Sequence, residues 1–492
     1  MYLFKKIHPS VPALIFCISI IIGDVAAFIL RANFFGSFLW LIFAAVALLT
    51  ALFVSRRITI ILAILAGLVI PFYRVAPIIS AKDYYQNLIN KNIVVSAKIV
   101  KDPAESDNGK FNLVLGDIVI NNESLPGEVF AQINSLQISE DFMLRRSDYV
   151  ELSGNFSEGF GSYAGSILRA DIKSASRPTP GDIFVEMCDF FADKIRDYIP
   201  SPENGLALGY LLGQKTGVDK TFQDALRIVG LTHIVVASGA HLGTLTGAAR
   251  KLFGRFSRFA GATAGALMTL FFIGITGFSA SMVRAGLVTF LSLITSYVGR
   301  KIKPLNLIIF VAAATLVYNP NYLTDLAWLL SFGSFTGILV LAPAIIKFFY
   351  GKSRQPNFIF NTLITSFSAA LVCTPILLYF FGQFSLISVI ANLLILPTVS
   401  IAMGLTFFTG VFAICVPPLA SVFGRVTTLL LDYQISVVNF FSEQKIFLVE
   451  TEAGNPTVLL FFVPLMIVFL FSACYPKVTS LTFLPKKSKN KI

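Results

Sequence analysis

The sequence predicts a polytopic α-helical membrane protein with one small β-domain inserted outside the bilayer. Three observations carry this expectation. Of 492 residues, 55% are hydrophobic and 13% charged, against about 25% charged in soluble domains. Apolar stretches of spanning length, about 20 residues each, recur along most of the chain. Between residues 81 and 180 that pattern stops, and a polar, alternating one replaces it. A mean hydropathy of +0.76 with 48 Phe excludes a soluble globular enzyme, a disordered chain and a disulfide scaffold.

Candidate spans lie near 11–31, 36–54, 58–79, 228–249, 259–278, 281–299, 304–318, 323–346, 358–381, 398–416, 419–441 and 456–475, about twelve in all. The run 384–397, closed by Pro397, has the length of a re-entrant half-helix. The first apolar run follows Lys5-Lys6, contains Asp24 and precedes further spans, so it reads as a signal anchor. The chain thus divides into N-terminal helices (1–80), an outer β-domain (81–180), an interfacial amphipathic helix (181–202), a larger transmembrane domain (203–475) and a basic tail (476–492).

The net charge of +12 is topological rather than a sign of nucleic acid. Residues 81–180 hold ten Lys/Arg and thirteen Asp/Glu, a net of −3, which leaves +15 for the rest. That excess sits in short loops: Lys5-Lys6, Arg56-Arg57, Arg250-Lys251 with Arg255 and Arg258, Arg300-Lys301 with Lys303, Lys347 to Arg354, and the tail from Lys486. Basic short loops belong on the cytoplasmic side. Both termini are therefore expected in the cytoplasm, and 81–180 outside the cytoplasmic membrane.

Within the outer domain, Ile93, Val95, Ala97 and Ile99 alternate with Val94, Ser96 and Lys98, the period of a half-buried strand. Similar runs at 110–120, 127–134, 148–156 and 166–173 make five short strands. They suit an OB-like barrel or a plain sandwich. No cysteine falls in 81–180, so no disulfide framework supports it. Arg177-Pro178-Thr179-Pro180-Gly181 forms a stiff linker, and Ile183 to Ile199 has the spacing of an interfacial helix touching membrane lipid.

Chemistry concentrates in Gly230 to Gly243, which holds His233 and His241, two of three histidines. Ionisable residues at membrane depth are costly and point to function. Ser238 and His241 stand three apart, and Gly239, Gly243 and Gly247 recur every fourth residue, as on a helix-packing face. Three readings are open: histidines bonded to carbonyls in a packed bundle, polar groups lining a conduit, and a Ser-His nucleophile. For the last, Val236-Ala-Ser238-Gly239 resembles the Gly-x-Ser-Gly of rhomboid proteases, with Val in place of the first Gly. A metal site is not expected. Cofactors are not expected either, since no acidic residue or Cys stands among these histidines.

A second constellation is Gly277 to Gly286 with Arg284, which either snorkels to the interface, binds phosphate or pairs with Asp325 near Trp328. A third is Thr374-Pro375, Phe381-Gly382 and Asn392 to Pro397, where prolines either break helices around a cavity or merely kink them.

In this order the three features resemble the competence domain of the ComEC family, inner-membrane channels for DNA uptake in natural transformation. The matching residues are Gly230 to His241, then Gly277, Ser281, Arg284 and Ala285, then Trp328 to Phe332, then Phe381-Gly382 with Asn392-Leu393 and Pro397. They cover about 203–415, and the β-domain agrees in position with an OB-like domain of the family. Ala240 departs from the bulkier residue usual there, and Trp328-Leu329 replaces the common Phe-Gln.

The resemblance implies a channel for single-stranded DNA whose path includes His233, Ser238, His241, Arg284, Asp325, Trp328 and Asn392. Weak DNA contact by the outer domain would use Arg145, Arg146, Phe111, Phe130 and Tyr149. Implied partners are an extracytoplasmic DNA receptor, a cytoplasmic DNA-translocating ATPase, further copies of the chain, and a separately encoded nuclease. The last is expected because no histidine follows His241 to build the metal cluster of the family's metallo-β-lactamase-like nuclease domain. The chain holds no P-loop, so enzymatic activity is not expected. The alternatives are a secondary transporter of an anionic solute or lipid, and an intramembrane hydrolase.

Overall fold

A computed structural model describes residues 10–30, parts of 42–50, 58–105, 109–139, 142–214, 217–232, 238–277, 279–299, 303–350, 356–385, 387–444 and 448–461. The chain divides into two compact units, the first built from 1–225, 232–329 and 398–436, the second from 226–231, 330–397 and 437–492.

In the first unit, helices α1 (Ser10–Ile29) and α2 (Ile58–Gln86) cross closely. A Cβ at Gly67 would lie 2.7 Å from the Phe16 carbonyl, and one at Gly23 would lie 3.1 Å from Leu68. Small residues permit this approach where lipid supplies no hydrophobic drive. Helix α2 continues past its apolar part straight into the β-domain. There Tyr85 and Leu88 join the core, and Tyr85 stacks on Phe156 with ring centroids 5.7 Å apart.

The β-domain contains β1 (Asn92–Ile99), β2 (Phe111–Ile120), β3 (Val129–Ile133), β4 (Tyr149–Glu158), β5 (Gly165–Ile167) and β6 (Asp171–Ser176). Strands run β1–β2–β3–β5–β4, and β4 pairs back onto β1, with β3 and β5 parallel. The ring closes, so the domain is a barrel and not a sandwich. Inward residues Val95, Ala97, Ile99, Leu113, Leu115, Ala131, Leu152 and Ile167 fill it. Each expected strand is present except the last, which splits in two. Arg169 takes φ +62°, a left-handed conformation that breaks the strand between β5 and β6. Gly165 is required for closure, because a Cβ there would enter the Phe156 ring.

After the linker, α3 (Ile183–Arg196) buries Val185, Cys188, Ala192 and Ile195 and exposes Ile183, Met187 and Phe190. The Asp182 side chain caps it by accepting from the Phe184 N–H. Burial opposes ionisation of Asp182, but the Ser147 hydroxyl, the Arg146 charge and two backbone N–H groups together hold it below the usual carboxylate range. The first unit continues with α4 (Glu203–Leu212), α6 (Gly239–Phe253), α7 (Arg258–Thr276), α8 (Ala280–Tyr297) and α9 (Pro304–Tyr318). Helix α5 (Lys220–Val229) runs from the first unit into the second.

Beyond them lie α10 (Leu326–Thr336), a π-helical turn (Gly337–Leu341), α11 (Ala342–Tyr350), α12 (Phe358–Phe381), α13 (Ser388–Cys415) and α14 (Pro417–Glu443). Among the described residues, six helices are long and apolar enough to cross a membrane: 11–29, 59–86, 258–276, 326–350, 358–381 and 388–415. Two shorter apolar helices cover 281–297 and 304–318. The expected spans at 36–54 and 456–475 lie largely outside the described residues.

Two expectations are corrected. The stretch 228–249 is not one helix. Gly230 at φ +78° ends α5, and α6 begins only at Gly239. Nor is 384–397 a separate half-helix. Residues from Ser388 run unbroken through Pro397 to Cys415, since a proline can sit within a membrane helix when neighbouring groups satisfy the freed carbonyl. Helix α14 has 27 residues but carries Arg425, Asp432 and Glu443, and it is not among the six.

Candidate conduit lining and outer mouth

Ser238 precedes α6 in an extended conformation, with φ −123° and ψ 166°. Its backbone N–H donates to Nδ1 of His241 at 3.2 Å. The pair therefore organises a helix entry and does not lie on a mid-helix face. His241 is buried with its ring 5.6 Å from that of Tyr210. The Tyr210 hydroxyl donates to Gln434 Oε1 at 2.9 Å, and Gln434 Nε2 donates to Thr398 Oγ1 at 2.8 Å. Tyr210 and Gln434 were not singled out by sequence. The available signal was a tyrosine in the apolar α4 and a glutamine in α14, each obliged to find a partner once buried.

Helix α8 is capped by Ser279, which accepts from the Met282 N–H. Arg284 lies on it with 3% of its surface exposed, so the snorkelling alternative is excluded. A Cβ on Gly239 would come within 3.4 Å of Arg284 Nη2 and 3.2 Å of Ala285 Cβ. The first two sequence motifs thus meet directly, and the missing side chain at Gly239 makes room for the guanidinium. Gly239 performs the close approach expected of it. Gly243 and Gly247 do not, because no atom lies within 4 Å of an added Cβ among the described residues. Helix α7 supplies the contact instead, with Gly261 against Gly254 and Gly265 against Arg250 and Thr246. The Gly-x-x-x-Gly spacing of 261 and 265 was the overlooked signal.

Asp325 caps α10 by accepting from the Trp328 N–H at 2.8 Å, and Trp328 Nε1 donates to Thr315 Oγ1 at 3.0 Å. Among the described residues no ion pair joins Asp325 to Arg284. The carboxylate is committed to the helix N-terminus, where the dipole favours it. His233 lies outside the described residues.

A cavity of about 430 Å³ lies beneath the barrel, lined by Val100–Asp102, Gly127 and Glu128 from the barrel side and by Arg74, Gly277, Met282 and Asp325 from the helices. Its arginines have fixed structural roles. Arg74 donates to the carbonyls of Val317 and Tyr318, the last turn of α9. Arg146 donates to those of Gly274 and Ile275, near the end of α7. Each guanidinium caps a helix C-terminus, where unsatisfied carbonyls attract a cation.

This overturns the expectation that Arg145-Arg146 form a DNA-binding patch. Arg146 is buried, and Arg145 is paired with Asp189 at 2.8 Å. Phe111 is half-buried and packs against the barrel core. Tyr149 stays exposed with Lys98 over its ring. Phe130 belongs to a cluster with Phe160 and Tyr163, whose centroids are 5.1–5.8 Å apart. Phe160 is 52% exposed. Arg146→Ala is expected to detach the barrel from α7, since hydrogen bonds to a charged group contribute about 1.5–3 kcal/mol each. Faster amide exchange at Cys188 and its neighbours, with the barrel core still protected, is the readout. Unchanged exchange in α3 refutes this role.

In the second unit, Gly230 packs on the segment that carries the last motif. A Cβ there would lie 3.1 Å from Ser388 Cβ and 3.9 Å from Ser385 Cβ. Asn392 is one turn along α13 from Ser388. The beginning of the first motif and the start of the last, far apart in sequence, share this place. Among the described residues no group of three His, Cys, Asp or Glu is placed to hold a metal ion.

A family model described as "Competence protein" matches residues 210–476, a range that holds every motif above. The chain is 28% identical over 245 residues to ComE operon protein 3 of Bacillus subtilis (strain 168). That match covers 49% of this chain and 30% of the relative. No solved structure matches.

Proposed function

The chain belongs to the Competence protein family, and on that premise we propose that it conducts single-stranded DNA across the cytoplasmic membrane during natural transformation. One observation carries the reading: Arg284, 3% exposed on an apolar helix, packs against Gly239 of the first motif. A strand entering a low-dielectric passage loses hydration at every phosphate, and an uncompensated buried charge costs several kcal/mol. Arg supplies a permanent charge and a planar set of donors that match phosphate oxygens.

In this reading the barrel lies outside the cytoplasm and both termini inside. An extracytoplasmic receptor delivers DNA, a cytoplasmic ATPase draws it in, and a nuclease converts duplex to single strand. His241 Nδ1 accepts from the Ser238 backbone N–H, which favours a positioning role over nucleophile activation.

Reconstitution into liposomes tests the proposal. Flux of a thymidine homopolymer is expected, and flux of a small organic anion without DNA flux would instead establish a solute transporter. Sidedness is read by labelling a cysteine placed in the C-terminal tail. A tail reached only from the DNA-entry face overturns the orientation.

A further inference from the structure

We propose that the corner joining α6 to α7 binds anionic phospholipid headgroups, with Arg255 and Arg258 on the phosphates and Phe256 and Phe259 seated in the acyl boundary. The site uses none of the motif residues and does not depend on the conduit reading. Every residue from Arg250 to Phe259 is exposed, Phe256 at 81% and Phe259 at 64%.

The corner is closed by its own backbone. The Gly254 N–H donates to the Arg250 carbonyl at 2.8 Å, and the Phe256 N–H to that of Phe253 at 3.1 Å. The Ser257 hydroxyl accepts from the Ala260 N–H at 2.9 Å and caps α7. Side chains are what the corner offers, and they divide by chemistry. Arg250, Lys251, Arg255 and Arg258 place four positive charges in nine residues. Among the described residues none of the four forms an ion pair. The sequence from 225 to 324 contains no Asp or Glu, so helices α6 to α9 cannot supply a counter-charge. The cluster is left for an anion from outside these helices.

Depth decides which anion. Arg258 is the first residue of the membrane-length helix 258–276, so the corner lies where hydrocarbon gives way to headgroups. Arginine stems cover apolar surface there while the guanidinium reaches the phosphates. The positive-inside tendency accounts for the charge, but not for Leu252, Phe253, Phe256 and Phe259 interleaved with it. A nucleic acid or an acidic protein would neutralise the cations and leave these side chains in water. The headgroup boundary takes both, burying apolar groups beneath paired cations. The Phe259 ring packs against that of Tyr297 on α8, with centroids 6.1 Å apart, which ties the corner to the next helix. In the orientation given above the leaflet is the cytoplasmic one, whose anionic lipids attract juxtamembrane cations.

The test places the full chain in nanodiscs and reads position 256 as tryptophan. Phe256→Trp adds a fluorophore whose signal is the difference from the unsubstituted chain, which holds Trp40 and Trp328. Brominated phosphatidylglycerol is expected to quench it about fivefold more than brominated phosphatidylcholine at equal mole fraction. Adding Arg255→Gln and Arg258→Gln, both at exposed positions, is expected to reduce that ratio to about one, while quenching by the brominated chains persists. High salt should weaken the preference in the same direction. Equal quenching by the two lipids before the arginines are changed overturns the headgroup site and leaves apolar contact only. A preference that survives loss of both arginines overturns their assignment. Quenching by neither lipid puts the corner in water, where a soluble polyanion would be its partner, and overturns the proposal as well.

Discussion

Arg284→Ala is expected to abolish DNA translocation while leaving the protein folded and in the membrane. The guanidinium is enclosed by protein on α8 and lies next to Gly239 and Ala285. Removing it deletes a permanent positive charge where the first two motifs touch, and a passing phosphate then bears its desolvation cost alone. Arg284→Lys keeps the charge but offers a compact ammonium in place of five planar donors, so it recovers only part of the flux. Transport by Arg284→Lys equal to wild type, at matched membrane levels, would show that charge alone suffices and would remove the phosphate-fork argument. Gly239→Ala provides an independent check. Its added methyl meets Ala285 and the guanidinium at 3.2–3.4 Å, so it should impair flux without replacing a charged residue.

The largest effect on folding is expected from Tyr85→Ala. Tyr85 is 1% exposed, stacks on Phe156 at 5.7 Å and donates to the Pro126 carbonyl at 3.4 Å. Truncating a buried aromatic costs about 3–5 kcal/mol, a large share of what a small domain has. Hydrogen exchange across residues 92–176 should accelerate together, while α12 keeps its protection. Unaltered exchange in β1 and β4 would show that the barrel holds its fold without the helix.

The sequence made the membrane class legible because bilayer-spanning helices must be apolar along their whole length. The strands were legible because inward and outward residues alternate, as Val95 to Ile99 do, but alternation alone did not choose between barrel and sandwich, which the pairing of β4 back onto β1 decides. What failed to read through shares one cause: a residue's type does not reveal its partner. Arg146 looked like a surface cation beside Arg145, and only the fold brings it to the carbonyls of Gly274 and Ile275. Asp325 looked like a counter-ion, and its position before Trp328 made it a cap. Glycine spacing promised packing at 239, 243 and 247, but only the first meets a neighbour. The Gly230 break was written in the sequence as a glycine, but its neighbours Leu231 and Val229 concealed it within a run of spanning hydropathy.

Helix α2 passes from the apolar layer into the barrel core without a loop. Its 29 residues extend roughly 43 Å at 1.5 Å per residue, against about 30 Å of hydrocarbon. The remainder is a stem, fixed at its far end by Tyr85 and Leu88. Bilayer thickness thereby becomes a control on the outer domain. Helices longer than the hydrocarbon layer accommodate the mismatch by tilting, and a helix that enters the barrel core without a loop carries that tilt to the barrel, with Pro71 and Pro77 as the points where it can bend. A thinner membrane would swing the barrel over the helix ends, and a thicker one would bring it upright.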